Sequence, residues 1–182
     1  MAAKVVTFRV GGRAVEVLVR PMTTLQTVLR YELGLTATKE GCRQGGCGSC
    51  TVLVDGEPIL SCLLPVEEVE GREVTTLETI SQPAALHPVQ QAFLDGLAFQ
   101  CGYCTPGMVM VSTALLDRNP APTREEIRQA LAGNVCRCTG YEPIIGAVER
   151  AAASSAGAGT DGPAPPPAGT PQPGSDHEGI QR

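Results

Sequence analysis

Two hydrophobic periods divide the chain. Over residues 1–79 the apolar positions alternate. Val6, Phe8 and Val10 are separated by Thr7 and Arg9, the pattern of a half-buried strand. Gly11-Gly12 is a two-residue hairpin signal, and Val15, Val17 and Val19 continue the alternation beyond it. Thr23 or Thr24 is placed to cap a short helix in which Leu25, Val28 and Leu29 share a face, with Gly34 at its end. A cysteine- and glycine-rich loop occupies 41–50. Residues 51–54, the pair Asp55-Gly56 and residues 57–62 then read as a second hairpin. Two strands, a helix, a loop and further strands predict a small mixed sheet with one helix across it.

Over residues 80–152 the spacing becomes helical. His87-Pro88 opens a stretch in which Val89, Phe93 and Leu97 recur every fourth position. Thr105 followed by Pro106 resembles an N-cap with a favoured first-turn proline. Residues 107–116 are apolar nearly all round, so that helix is expected at the centre of its domain. Thr123 with Glu126 forms a capping-box pattern ahead of Ile127 and Leu131. Pro143 precedes Ile144, Ile145, Val148 and Ala151 on one face. Four short helices with short links predict a compact bundle. Residues 153–182 hold six Pro, six Gly, one Ile and no aromatic residue, too little apolar surface to offset ordering, and read as a disordered tail.

Composition narrows the function. The chain has 182 residues, a net charge of −5 and no two adjacent Lys/Arg residues, which argues against a nucleic-acid surface. No apolar run reaches the ~20 residues that span a membrane, and the N-terminus lacks a signal-peptide pattern. A cytoplasmic location, where thiols stay reduced, is expected. Aromatic residues are 3% with no Trp, so the two domains have thin cores, and chains that small need staples.

Eight cysteines can supply them. Cys42, Cys47, Cys50 and Cys62 are spaced C-x4-C-x2-C-x11-C, and the C-x4-C-x2-C run with a distant fourth Cys is the plant-type [2Fe–2S] spacing. Four thiolates must converge on two nearby irons, so three come from one tight loop and the fourth from a neighbouring strand. Gly41, Gly45, Gly46 and Gly48 are expected to give that loop positive φ values and close N–H approach to the sulfurs. Cys101, Cys104, Cys136 and Cys138 form a second set, C-x2-C-x31-C-x-C, with Cys104 at a helix start that favours thiolate. Zinc is the main alternative for this second set, since C-x2-C pairs also hold zinc. Disulfides fit poorly because a C-x-C pair closes badly. Inert buried cysteine does not account for two spaced quartets with none left over.

Other chemistry is sparse. His87 and His177 are isolated and read as capping or solvated residues, and Glu67, Glu68 and Glu70 read as a solvated edge. No catalytic triad, carboxylate pair or nucleotide-binding glycine motif is present. A chain with two one-electron centres and no substrate chemistry is a relay. A free-standing ferredoxin-like carrier is the competing reading, and a zinc-stabilised interaction module is a third. A second quartet within a helical domain argues against a shuttle.

The segments G-C-R-Q-G-G-C-G-S-C-T-V (41–52), Q-C-G-Y-C-T-P-G (100–107) and G-N-V-C-R-C-T-G-Y (133–141) resemble the iron–sulfur small subunits of molybdenum hydroxylases, over about residues 3–152. That group includes xanthine dehydrogenases, aldehyde oxidoreductases, carbon monoxide dehydrogenases and N-heterocycle hydroxylases. The resemblance implies an α+β chain: a plant-ferredoxin-like (β-grasp) domain over 1–79 and a four-helix-bundle [2Fe–2S] domain over 80–152. It places the Cys101, Cys104, Cys136, Cys138 cluster near a molybdopterin, expected as its cytosine dinucleotide, in a large subunit. The other cluster would face a medium FAD-binding subunit or another acceptor. It implies a dimer of heterotrimers, with Gln100 hydrogen-bonded to the pterin and Cys138 the ligand nearest it. From its position alone, Gln100 reads as a polar residue at a helix C-terminus. Arg43, Gln44 and Glu142 depart from residues common in the family, and none is at a ligand position.

Overall fold

The computed structural model describes residues 2–81 and 85–157. The chain is α+β. Strands β1 (Lys4–Val10) and β2 (Arg13–Val19) pair antiparallel from Lys4↔Val19 to Val10↔Arg13, so the alternating apolar residues all point to one face. Strands β3 (Thr51–Val54) and β4 (Glu57–Leu60) form the second hairpin. Asp55 and Gly56 have φ +51° and +85°, as a hairpin turn with both central residues left-handed requires.

A short strand that the alternation does not reveal, β5 (Glu73–Thr75), closes the sheet. It lies parallel to β1 and antiparallel to β3, giving the order β2-β1-β5-β3-β4. Three residues carry too little period to be read from sequence. The helix across this sheet is α1 (Leu25–Thr27), capped by Thr24 and continued as a π-helical turn over Val28–Glu32. Leu25, Val28 and Leu29 are fully buried against Val6, Phe8, Val17, Val52, Val54 and Val74.

Helices α2 (Pro88–Asp95), α3 (Thr105–Arg118), α4 (Arg124–Leu131) and α5 (Glu142–Gly157) share a second core, in which Phe93, Met108, Ile127, Leu131, Ile144 and Val148 are buried. His87 caps α2 through Nδ1, and Thr123 with Glu126 makes the expected capping box of α4. Three local expectations change. Leu97 falls outside α2, exposed at φ +47°, because the helix stops at Gly96. Thr105 is the first residue of α3, and Cys104 takes the N-cap position without a side-chain cap bond. Helix α5 runs through 153–157, so these residues are not the start of a tail. The remainder of the expected tail, 158–182 with His177, lies outside the described residues.

Helix α3 is buried from Pro106 to Ala114 because it packs on both sides. One side faces the helical core. On the other, Met110 and Ala114 meet Leu53 of β3, with Leu77 and Ile80 of the connecting segment alongside. Replacing Met110 by Ala removes the centre of that contact. Met110→Ala is expected to cost about 2–5 kcal/mol, read as a lower denaturant midpoint with an unchanged slope.

Candidate metal centres

The first cysteine loop is held by main-chain carbonyls that other elements grip. Gln26 of α1 donates to the Lys39 carbonyl at 2.8 Å, and Arg30 donates to the Thr36 and Thr38 carbonyls at 2.9 Å each. Ser61 Oγ donates to the Cys50 carbonyl at 2.7 Å, which brings the Cys62 strand end against Cys50. Gly41 is required by contact, since a Cβ there would sit 2.6 Å from Cys47 Sγ. Of the four loop glycines only Gly45 and Gly48 have positive φ. Gly46 contributes an N–H, donated to Cys42 Sγ at 3.2 Å.

The eight thiols meet in pairs. Cys42 lies beside Cys47, and Cys50 lies beside Cys62. In the second set Cys138 donates to Cys101 at 3.6 Å, and Cys104 lies beside Cys136. Each set therefore offers two adjacent sulfur pairs. The four thiols of each set are those that a [2Fe–2S] cluster would take as ligands.

The pairs differ electrostatically. In the first set the Gln44 N–H, the Cys47 side chain and the Gly46 N–H pull Cys42 down to about 7. Burial, then Cys62, pushes Cys50 up to about 11. In the second set burial, then Cys136, pushes Cys104 up to about 12, so burial outweighs the helix start that the sequence pointed to. Burial acts to raise Cys136 as well, but the Thr139 hydroxyl and N–H and the Cys138 N–H bring it below its usual value. The Cys101 side chain raises Cys138. A high-pKa buried thiol binds as thiolate only when a metal cation replaces its proton.

Two hydroxyls address the sulfurs: Ser49 Oγ lies 3.0 Å from Cys47 Sγ and Thr139 Oγ1 lies 3.1 Å from Cys136 Sγ. Gln100, Cys101, Tyr103 and Cys138 are exposed, and Cys101 and Cys138 stand side by side. Gln100 lies in the loop between α2 and α3, beyond any helix end. Arg43, at φ +55°, pairs with Glu40 at 2.6 Å, and Glu142 pairs with Arg124. Glu70 pairs with Lys4, and Glu67 accepts the Met22 N–H, so that edge is only partly solvated.

Known proteins share this sequence and fold. Residues 8–77 match the 2Fe-2S iron-sulfur cluster binding domain, and residues 76–149 match a [2Fe-2S] binding domain. A nicotinate dehydrogenase subunit of Pseudomonas putida is 49% identical over 81% of this chain and 94% of its own. The nicotinate dehydrogenase small FeS subunit of Eubacterium barkeri is 43% identical over 80% of this chain and 93% of its own. The chain belongs to the iron–sulfur small subunits of the molybdenum hydroxylases. The solved quinoline 2-oxidoreductase of Pseudomonas putida 86 superposes on this small subunit with a TM-score of 0.82 and 41% identity, over 87% of this chain and 99% of the matched one. As in its family, the small subunit is an iron–sulfur protein of an oxidoreductase.

Sequence reasoning missed the residues that support the thiols. Ser49, Thr139, Tyr141 and Asn134 stand inside the recognised segments, but only folding shows what they touch. With iron–sulfur clusters bound, a hydroxyl donated to a thiolate stabilises the more negative reduced state. Thr139→Val is expected to lower the reduction potential of the second cluster by about 40 mV, the one-electron equivalent of a ~1 kcal/mol hydrogen bond, with the first cluster unchanged. EPR-monitored redox titration reads both values.

Proposed function

We propose that the chain is the electron relay of a molybdenum hydroxylase complex. Cys42, Cys47, Cys50 and Cys62 would hold one [2Fe–2S] cluster, and Cys101, Cys104, Cys136 and Cys138 the other. The observation that carries the reading is the meeting of the eight thiols, from four separate segments, as adjacent pairs within two sets. A [2Fe–2S] cluster, when bound, accepts and releases one electron. The chain's own residues do the rest. The Gly46 N–H and the Ser49 and Thr139 hydroxyls face thiolate sulfurs and offset their charge. Helix α3 fixes the spacing of the two loops.

The exposed surface of Gln100, Cys101 and Cys138 fits a partner. There a large subunit would present its molybdopterin, in the cytosine dinucleotide form, with Gln100 bonded to the pterin and Cys138 the nearest ligand. The β-grasp domain would pass electrons to a medium FAD-binding subunit or another acceptor, in a dimer of heterotrimers. The helical domain would act as a four-helix bundle that orients the second loop. No helix among the described residues is long and apolar enough to cross a membrane, and we place the complex in the cytoplasm. The relatives of matching length are named for nicotinate and quinoline enzymes, which supports an N-heteroaromatic substrate for the assembled enzyme.

The purified chain is expected to be red-brown, with about four Fe and four acid-labile sulfides per chain, and to come from its native source bound to larger subunits. Metal analysis and subunit composition check this. One colourless zinc per quartet would overturn it.

A further inference from the structure

Tyr141 holds a backbone conformation that its side chain disfavours. Its φ is +69°, and among the described residues it is the one aromatic residue on a left-handed backbone. Bulky residues take that conformation only where the surroundings impose it, and such positions collect at functional sites. With Gly140 at φ +64° before it, the turn brings the ring back onto the second cysteine loop. The Tyr141 hydroxyl accepts the Cys136 N–H at 2.9 Å and donates to the Asn134 carbonyl at 3.1 Å. The Tyr141 N–H donates to Thr139 Oγ1 at 3.2 Å, and the Tyr141 carbonyl accepts the Ile145 N–H in the first turn of α5 at 2.9 Å. One residue thus ties the segment from Asn134 to Thr139 to a helix whose Ile144 and Val148 are fully buried.

We infer that Tyr141 is the positioning residue of the second metal centre: its hydroxyl fixes the main chain on both sides of Val135, and its N–H fixes the Thr139 hydroxyl, so that Cys136 meets metal in one orientation. The inference rests on the second quartet holding a cluster. Because Thr139 Oγ1 accepts from the Tyr141 N–H, its own proton is free for Cys136 Sγ, 3.1 Å away. The same hydroxyl seats the second loop on the first. Asn134, only 4% exposed, donates from Nδ2 to the Gly48 carbonyl at 3.0 Å, and the Val135 N–H donates to the Cys47 carbonyl at 2.9 Å. That seat tolerates little displacement. A Cβ on Gly48 would lie 2.5 Å from the Gly133 carbonyl oxygen, and one on Gly107 of α3 would lie 2.4 Å from the Gly48 carbonyl oxygen. The first loop does not need the brace. Gln26, Arg30 and Ser61 hold its carbonyls from its own domain, and the Gly48 carbonyl keeps the Thr51 N–H and hydroxyl at 3.1 and 2.7 Å. The dependence is one-sided: loss of the Tyr141 hydroxyl loosens the second centre and leaves the first as it was.

Tyr141→Phe tests this in the full chain as purified. The substitution keeps the ring and the main-chain N–H and removes only the hydroxyl. Two measurements read the outcome: loss of iron from each site to a chelator, followed through the separate EPR signals, and amide hydrogen exchange by mass spectrometry over 133–139, 41–50 and 144–152. The variant is expected to lose iron from the second site about tenfold faster or more, the scale on which partners of metal ligands act, and to exchange faster over 133–139. Iron at the first site and exchange over 41–50 and 144–152 are expected to stay as they were. A variant that arrives with the first site full and the second empty gives the same answer. Tyr31→Phe, which removes a hydroxyl bonded to the Glu40 carboxylate at 3.0 Å, is expected to change neither site. Unchanged iron loss at the second site would overturn the assignment. So would equal loss from both sites, or faster exchange throughout the helices, either of which makes the hydroxyl a general contact of the fold. Absence of iron from the unsubstituted chain would instead overturn the cluster reading beneath it.

Discussion

The contact between the two cysteine loops is the constraint on which the rest of the chain depends. The Gly48 carbonyl, the Asn134 amide and the start of α3 meet within hydrogen-bond and van der Waals distance. For that meeting to occur, β3 must deliver the first loop to the end of the sheet, and α3 must lie against β3. Helix α3 meets both demands by being apolar nearly all round. Its Met110 and Ala114 belong to the sheet side, while Met108 belongs to the helical core. The two domains have separate cores, and the residues that carry the chemistry stand at the seam between them.

The thiols show how burial and hydrogen bonding divide the work. Cys42 is drawn down by main-chain N–H groups, so its thiolate is favoured before any metal arrives. Cys50 and Cys104 are driven up by burial and need a cation to lose their protons. Each set thus holds one sulfur whose proton affinity is lowered and one whose proton affinity is raised. The inner ones are shielded from water, and the outer Cys101 and Cys138 stand on the surface where a partner can approach.

Much of this was legible in the chain itself. Period-two alternation marked the first hairpin, because one face of each of its strands is buried, and the Asp55-Gly56 turn marked the second, whose strand β3 is buried throughout. The spacing of the cysteines divided them into two sets of four, and the fold brings the members of each set together in pairs. Capping at His87 and Thr123 followed from residue type and position. What escaped has physical reasons. Strand β5 is too short to show a period. Leu97 continued the spacing of Val89 and Phe93, but Gly96 ends the helix first. Thr105 looked like a cap, yet the turn at Cys104 starts one residue earlier. Asn134, Val135 and Tyr141 gain their roles only from groups far away in sequence, and no local pattern encodes such contacts.

The central claim is that eight paired thiols hold two [2Fe–2S] clusters on loops locked against each other. Low-temperature EPR of the fully dithionite-reduced chain tests it most directly. The account predicts two distinct rhombic signals of equal weight, one from the glycine-loop site and one from the helix-end site, each split or broadened by the other because the loops are in contact. A single signal, or two signals with no mutual interaction, would contradict it.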